Sequence, residues 1–305
     1  MERPQRILAA IPPTELGAEV AGRAAELARR FRAELRLSGC VYDPYVAGER
    51  FADSPDLQAA RQALVEQRRE ALQALAAGLG ELPAIDVEAV WAYPIWQGII
   101  DAAARFDAGL IVAGTHHHSL LQRLTLSNTD WQLIRHVDRP LLLVRGDHFR
   151  GYGRVLAAVD PMHRHDEPAE LDDRLLAAAA TMAAPWQGEV HLIHCYLAGE
   201  SLPLVAPGAV LPAGYLERSS PAEAHRQAAA ALARRHGLPE QRLHLLAGDP
   251  RRLIPELAER LGAGLVVTGA VSRSRLEQLL IGSTAEAVLD ALDCDVLVIK
   301  PAAAG

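Results

Sequence analysis

The sequence has few cysteines and no excess of positive charge. Its three cysteines, Cys40, Cys195 and Cys294, lie far apart and form no CxxC pair. This excludes a disulfide framework and the usual spacing of zinc-binding cysteines, and we expect free thiols. The formal net charge is -7 at pH 7, so the chain lacks the general attraction to phosphate backbones that nucleic-acid-binding proteins have. A nucleic-acid partner is therefore not expected.

The sequence also lacks a long apolar run. No segment approaches the roughly 18 consecutive apolar residues that a membrane helix needs. The apolar part of the opening segment, MERPQRILAAIPPTELG, is too short for a signal peptide. We therefore expect a soluble, cytoplasmic protein without a membrane span. Its 305 residues, half of them hydrophobic, are enough for two domains with separate cores.

Several blocks of the sequence occur twice, in the same order. The pairs are RILAAIPP (6–13) with RVLAAVDP (154–161), AELRLSGC (33–40) with GEVHLIHC (188–195), AGLIVAG (108–114) with AGLVVTG (263–269), and RPLLLVR (139–145) with CDVLVIK (294–300). Conserved order over the whole length indicates a duplicated domain. The sequence predicts a first domain over residues 1–148 and a second over residues 152–305.

Each copy alternates short apolar runs with amphipathic helical segments. In the second copy the runs are RVLAAV, EVHLIHC, RLHLLAG, GLVVTG and DVLVIK, and helix-start signals stand at Ser220-Pro221 and at Asp249-Pro250. Apolar strands separated by helices predict an α/β fold, a doubly wound parallel sheet of about five strands with helices on both faces. Ligands bind such sheets at the carboxyl ends of the strands.

The segment VVTGAVSRSRLEQLLIGST (266–284) carries the clearest binding pattern. Gly269 at a strand end would let a ligand approach the backbone. Gly282, Ser283 and Thr284 open a helix, whose first N–H groups and positive dipole end attract phosphate. A second interpretation stays open, because Ser283 followed by Glu286 is also an ordinary capping box.

This segment resembles the signature of the universal stress protein family, which is Gly, two residues, Gly, nine residues, Gly, then Ser or Thr. Gly269, Gly282 and Ser283 match, and Ser272 stands at the second glycine. The resemblance implies a fold like that of the adenine nucleotide alpha hydrolases and an ATP or related nucleotide ligand, with Mg²⁺ as an accompanying ion. It implies that Asp160 contacts the base or ribose. The phosphates would be surrounded by Gly269, Gly282, Ser283 and Thr284, with Ser272 and Arg273 beside them.

The corresponding loop of the first copy, GTHHHS (114–119), departs from this signature. Gly114 is kept, but His117 stands at the second glycine, Ser127-Asn128 replace Gly282-Ser283, and Pro12 replaces the aspartate. We expect no nucleotide there. A degenerate first domain and a better second domain resemble the tandem UspE-type branch of the family, which implies that the two-domain chain could pair again as a homodimer.

The histidines of this loop raise a separate hypothesis. His116 and His118 are two residues apart, so in an extended segment both side chains point the same way, as two zinc ligands must. Zinc needs further ligands, and Asp43 and His136 are the nearest candidates. The alternative is a polar loop without metal.

The sequence thus predicts a stress-response binding protein with a nucleotide in its second domain. It has no P-loop lysine and no catalytic triad, so at most slow ATP hydrolysis is expected. Two alternatives stay open. The long apolar segment 197–218 would suit a carrier of a nucleotide-linked or lipid-like metabolite. The other alternative is an interaction protein whose two sites are both vestigial.

Overall fold

A computed structural model describes residues 1–47, 54–115, 128–145, 149–162, 170–196, 221–270 and 283–301. The chain divides into two compact units. The first unit contains Glu2–Phe149 and, from the other end of the chain, Cys294–Val298. The second unit contains Met1, Arg150–Asp293 and Ile299–Gly305. A short segment near the carboxyl end therefore belongs with the first unit.

Strands and helices alternate along the first copy of the repeat. In order they are β1 (Arg6–Ala10), α1 (Leu16–Phe31), β2 (Glu34–Val41), α2 (Pro44–Ala47), α3 (Pro55–Ala77), β3 (Ala84–Trp91), α4 (Ile95–Phe106), β4 (Leu110–Gly114), α5 (Asn128–His136) and β5 (Leu141–Val144). Every residue of β5 is buried. Because neighbouring side chains of a strand point to opposite faces, both faces of the sheet are covered at this strand.

The second copy repeats this alternation. Its elements are β6 (Arg154–Ala158), α6 (Glu170–Ala183), a 3₁₀ turn (Ala184–Trp186), β7 (Glu189–Tyr196), α7 (Pro221–Arg235), a 3₁₀ turn (Glu240–Arg242), β8 (Leu243–Ala247), α8 (Pro250–Leu261), β9 (Leu265–Gly269), α9 (Ser283–Ala291) and β10 (Asp295–Ile299). The five predicted apolar runs of this copy all form strands. The helix starts are confirmed as well, since α7 begins at Pro221 and the Asp249 carboxylate caps α8 by accepting from the Arg251 N–H at 3.0 Å.

The sheets confirm the doubly wound α/β prediction, with one exception. In the first unit the strand order is β3-β2-β1-β4-β5-β10, and in the second unit it is β9-β6-β7-β8. The pairs β1–β2, β1–β4, β2–β3, β4–β5, β6–β7, β6–β9 and β7–β8 are parallel, whereas β5 pairs with β10 antiparallel. Leu142 lies opposite Leu297, its counterpart in the repeat. The sequence analysis did not predict this antiparallel pair, in which each strand pairs with its own repeat equivalent.

Among the described helices, none has the length and apolar character required to cross a membrane.

Candidate functional site

The carboxyl edge of the second unit's sheet brings together two of the predicted site residues. Ala157 of β6 lies beside Val267 of β9. Asp160 and Gly269 follow these residues by three and two positions, so they lie at the same edge on neighbouring strands. The Asp160 N–H donates to the buried carboxylate of Asp172 on α6, at 3.1 Å. This bond holds the backbone of Asp160 at the edge, and its side chain remains 23% exposed, so the carboxylate is accessible.

Gly269 has a structural role that does not depend on a ligand. A Cβ atom at this position would lie 2.8 Å from Cδ2 of Leu171, which is buried on α6. Its repeat counterpart Gly114 is similar, since a Cβ atom there would lie 2.5 Å from Cδ2 of Leu16. Helix packing against the strand end therefore explains the glycine in both copies, whether or not phosphate approaches it.

The other predicted phosphate-site residues are described only in part. Helix α9 begins at Ser283, as the sequence predicted, so Ser283 and Thr284 lie in its first turn. The first N–H groups of a helix have no partner within the helix, and they form an anion-binding position. Ser272, Arg273 and Gly282 lie outside the described residues.

Two buried histidines lie next to Asp160. Nδ1 of His194, on β7, is 3.1 Å from the carbonyl oxygen of Val159 and 3.8 Å from the Asp160 carboxylate. Nε2 of His194 is 2.7 Å from Nδ1 of His225 on α7. The two residues are 2% and 1% exposed. Tyr196 stacks on the His225 ring with centroids 4.8 Å apart. These side chains form a buried polar connection from α7 to the turn that follows β6 at residues 159–162, which we call the Asp160 turn.

The sequence interpretation missed this pair, although a signal was present. His194 stands in the LIHC strand end, where ligand-side residues were expected, and its repeat counterpart is Gly39. His225 is spaced four, seven and eight residues before Ala229, Leu232 and Ala233, which are all buried. That spacing places His225 on the inner face of α7.

The cysteines at the ends of β2 and β7 have raised pKa values. Burial raises the pKa of the Cys195 thiol to about 12, and the nearby Asp249 charge adds to the effect. Burial, followed by the charge of Glu88, raises the pKa of Cys40 to about 11. Thiolate is the reactive form, so we expect both thiols to react slowly at neutral pH.

The same edge of the first unit is built differently. Pro12 stands at the position of Asp160, and the residue before it, Ile11, accepts a hydrogen bond from Nη2 of Arg68 at 2.7 Å. The Arg68 side chain crosses Gly39, where an added Cβ atom would lie 2.6 Å from Nε. A guanidinium group from α3 therefore lies against the strand ends, and no carboxylate replaces Asp160.

The zinc hypothesis finds no support in the described residues. His116 and His118 lie outside them. Asp43 caps α2 by accepting from the Tyr45 N–H at 2.8 Å. His136 stacks on Trp96 with centroids 4.4 Å apart, and its Nε2 is 3.1 Å from Oε1 of Gln132. Within the part of the chain that the structure describes, no group of three or more His, Cys, Asp or Glu side chains could hold a metal ion.

Similarity to known proteins agrees with this architecture. The model of the universal stress protein family matches residues 4–145 and again residues 151–300. Universal stress protein E of Escherichia coli K12 is 28% identical over 97% of this chain and 94% of its own length. A protein of unknown function from Pseudomonas aeruginosa PAO1 is 26% identical, with a TM-score of 0.72 over 98% of this chain and 93% of its own.

A more distant structure shows the fold alone. A universal stress protein from Archaeoglobus fulgidus DSM 4304 is 17% identical and superimposes with a TM-score of 0.61, over 97% of this chain and 96% of its own. The family model covers nearly the whole chain, once for each copy of the repeat. The chain therefore belongs to the universal stress protein family, as a tandem of two of its domains.

Proposed function

We propose that this chain is a stress-response binding protein that holds ATP or a related nucleotide at the carboxyl edge of its second unit. The observation that carries the proposal is the Asp160 turn. Its carboxylate is accessible and its backbone is fixed by Asp172. The first unit has Pro12 at this position and the Arg68 guanidinium against the preceding carbonyl.

The residues of this edge suit the two ends of a nucleotide. A carboxylate accepts hydrogen bonds from ribose hydroxyls or a base amino group, which is the role we propose for Asp160. The first turn of α9, with Ser283 and Thr284, would hold phosphate oxygens through its N–H groups. Gly269, Ser272, Arg273 and Gly282 complete the proposed phosphate side. A bound Mg²⁺ would neutralise phosphate charge.

The proposal is one of binding in the cytoplasm, without efficient turnover. The sequence lacks the P-loop lysine that accompanies fast phosphoryl transfer. The three cysteines are thiols outside any disulfide, as suits a reducing compartment.

Isothermal titration calorimetry with ATP and Mg²⁺ tests the proposal. We expect one ATP per chain, and an affinity lowered about tenfold or more in Asp160→Ala, since a charge-assisted hydrogen bond is lost. The control is Asp43→Asn, which removes a strand-end carboxylate of the first unit and should leave ATP affinity unchanged. No heat at millimolar ATP, or equal binding by Asp160→Ala, would contradict the proposal.

Native mass spectrometry of protein purified from cells separates the alternatives. A retained nucleotide supports the proposal. A retained species with an aliphatic chain would instead favour the carrier of a lipid-like metabolite that segment 197–218 suggested.

A further inference from the structure

In each copy of the repeat, a side chain donates a hydrogen bond to the backbone carbonyl at the equivalent strand end. Ile11 and Val159 are equivalent in the repeat, and each directly precedes the residue that distinguishes the two sites, Pro12 or Asp160. Arg68 donates to the Ile11 carbonyl at 2.7 Å. Nδ1 of His194 lies 3.1 Å from the Val159 carbonyl. The first copy thus uses a permanent cation, and the second uses a group that can gain or lose its charge.

The hydrogen bonds determine where the protons of the histidine pair lie. A carbonyl oxygen can only accept, so Nδ1 of His194 must carry a hydrogen. When His194 is neutral, its Nε2 accepts from Nδ1 of His225. When His194 is charged, its Nε2 donates to Nδ1 of His225 instead. The pair therefore accommodates one extra proton without breaking either hydrogen bond.

A carboxylate lies close enough to the pair to offset part of the cost of burying an extra proton. The Asp160 carboxylate is 3.8 Å from Nδ1 of His194. From α6, Asp172 accepts the Asp160 N–H and adds a second negative charge behind the turn. From β7, Tyr196 stacks on His225. On α7, the Glu223 carboxylate is bonded to Arg226 and Gln227. The charged group that these described contacts place beside the pair is thus the Asp160 carboxylate.

We propose that His194 and His225 are positioning residues of the second strand-end site, and that the site binds nucleotide more tightly when the pair holds an extra proton. His194 holds the Val159 carbonyl and thereby fixes the Asp160 turn. The extra positive charge lies behind the accessible Asp160 carboxylate and attracts the phosphates of a nucleotide bound at this edge. The inference rests on the proposed function, because it concerns the same site.

Calorimetry of ATP-Mg²⁺ binding between pH 8 and pH 6 tests the link to ligand. In the wild-type protein we expect the affinity to rise about fivefold as the pH falls, because the added positive charge attracts the phosphates. The double variant His194→Asn/His225→Asn keeps an amide donor near the position of each Nδ1 but contains no ring of the pair that can be protonated. In this variant we expect only the change that comes from titration of ATP itself.

The chain contains a matched control for this experiment. At the other end of β7, Nδ1 of His191 lies 3.1 Å from Nε2 of His244, so a second histidine pair occurs on the same strand away from the Asp160 turn. His244→Asn should therefore retain the wild-type pH profile. Equal profiles in the wild-type protein and His194→Asn/His225→Asn would overturn the proposal.

Nuclear magnetic resonance of the ligand-free protein tests the positioning separately. We expect the Asp160 amide resonance to titrate with the same midpoint as the His194 ring, and His225→Asn to shift that midpoint. If neither the wild-type protein nor its variants bind ATP, the proposed function fails, and this measurement still decides the role of the histidine pair. Should His225→Asn not fold, the wild-type spectrum suffices, and an Asp160 amide that ignores the titration of His194 disproves the coupling.

Discussion

Arg23 and Asp295, 272 residues apart in the chain, form a buried ion pair that connects α1 to β10. Arg23 also lies over the Phe149 ring, with its guanidinium carbon 3.7 Å from the centroid. The other carboxylate oxygen of Asp295 accepts the Arg145 N–H at 3.0 Å. The last strand is thus tied to the first unit by a charge pair as well as by its ladder with β5.

Removing one member of this pair should be costly. We expect Asp295→Ala to lower the free energy of unfolding by about 3–5 kcal/mol, because the Arg23 charge would remain buried without its carboxylate. Urea unfolding followed by circular dichroism measures the loss. Asp86→Ala is the control, since it breaks the more exposed Arg36–Asp86 pair of the same unit and should cost about 1 kcal/mol or less. Similar losses in both variants would contradict the prediction.

The second histidine pair predicts sensitivity to acid. Burial lowers the pKa of both His191 and His244 below the ordinary value of 6.5. The unfolded chain then binds protons more readily than the folded one, so stability should fall as the pH drops below about 6.5. Urea unfolding at pH 8, 7, 6 and 5.5 measures this trend. His244→Phe should reduce the slope between pH 7 and pH 5.5, and an unchanged slope would show that other groups cause it.

The two raised cysteine pKa values predict slow alkylation. With a pKa of about 11 in place of 9.0, Cys40 should hold about a hundredfold less thiolate than an ordinary thiol at pH 8. Cys195 should react more slowly still. Iodoacetamide labelling followed by peptide mass spectrometry measures both rates, with urea-unfolded protein as the reference. Rapid labelling of the native protein would mean that the strand ends open readily.

The packing role of Gly269 can be separated from ligand binding. We expect Gly269→Ala to lower the free energy of unfolding of the ligand-free protein by about 1–3 kcal/mol, because the new methyl group would overlap Leu171. In a protein that already carries Leu171→Ala, the Gly269→Ala substitution should lower the free energy of unfolding much less. A double-mutant cycle measures this coupling, and additive losses would rule out the steric explanation.

Much of the fold could be predicted because its signals are local. Strands such as β9 are apolar runs with a turn at each end, and Asp249 marks the start of α8 by a side chain that caps it. The repeat then placed Asp160 and Gly269 at strand ends, where the structure brings them side by side. These features depend on a few neighbouring residues, which a sequence displays directly.

Other features depend on partners that sequence patterns do not specify. The apolar run of β10 indicates a buried strand, but it does not say that the strand will pair antiparallel with β5. His225 and His194 are 31 residues apart, and their contact depends on how α7 lies against β7. The roles of Ser272 and Arg273 stay predictions, as does the metal hypothesis for His116 and His118.

The place of β10 in the first unit has a consequence for synthesis on the ribosome. The hydrogen bond from the Arg145 N–H to Asp295 cannot form until Asp295, which is 150 residues further along the chain, has been synthesised. At about 5–20 residues per second this delay is at least about 8 s. Throughout that time β5 is an open edge strand, available to neighbouring nascent chains. The earliest part of the protein to emerge is thus among the last to be completed.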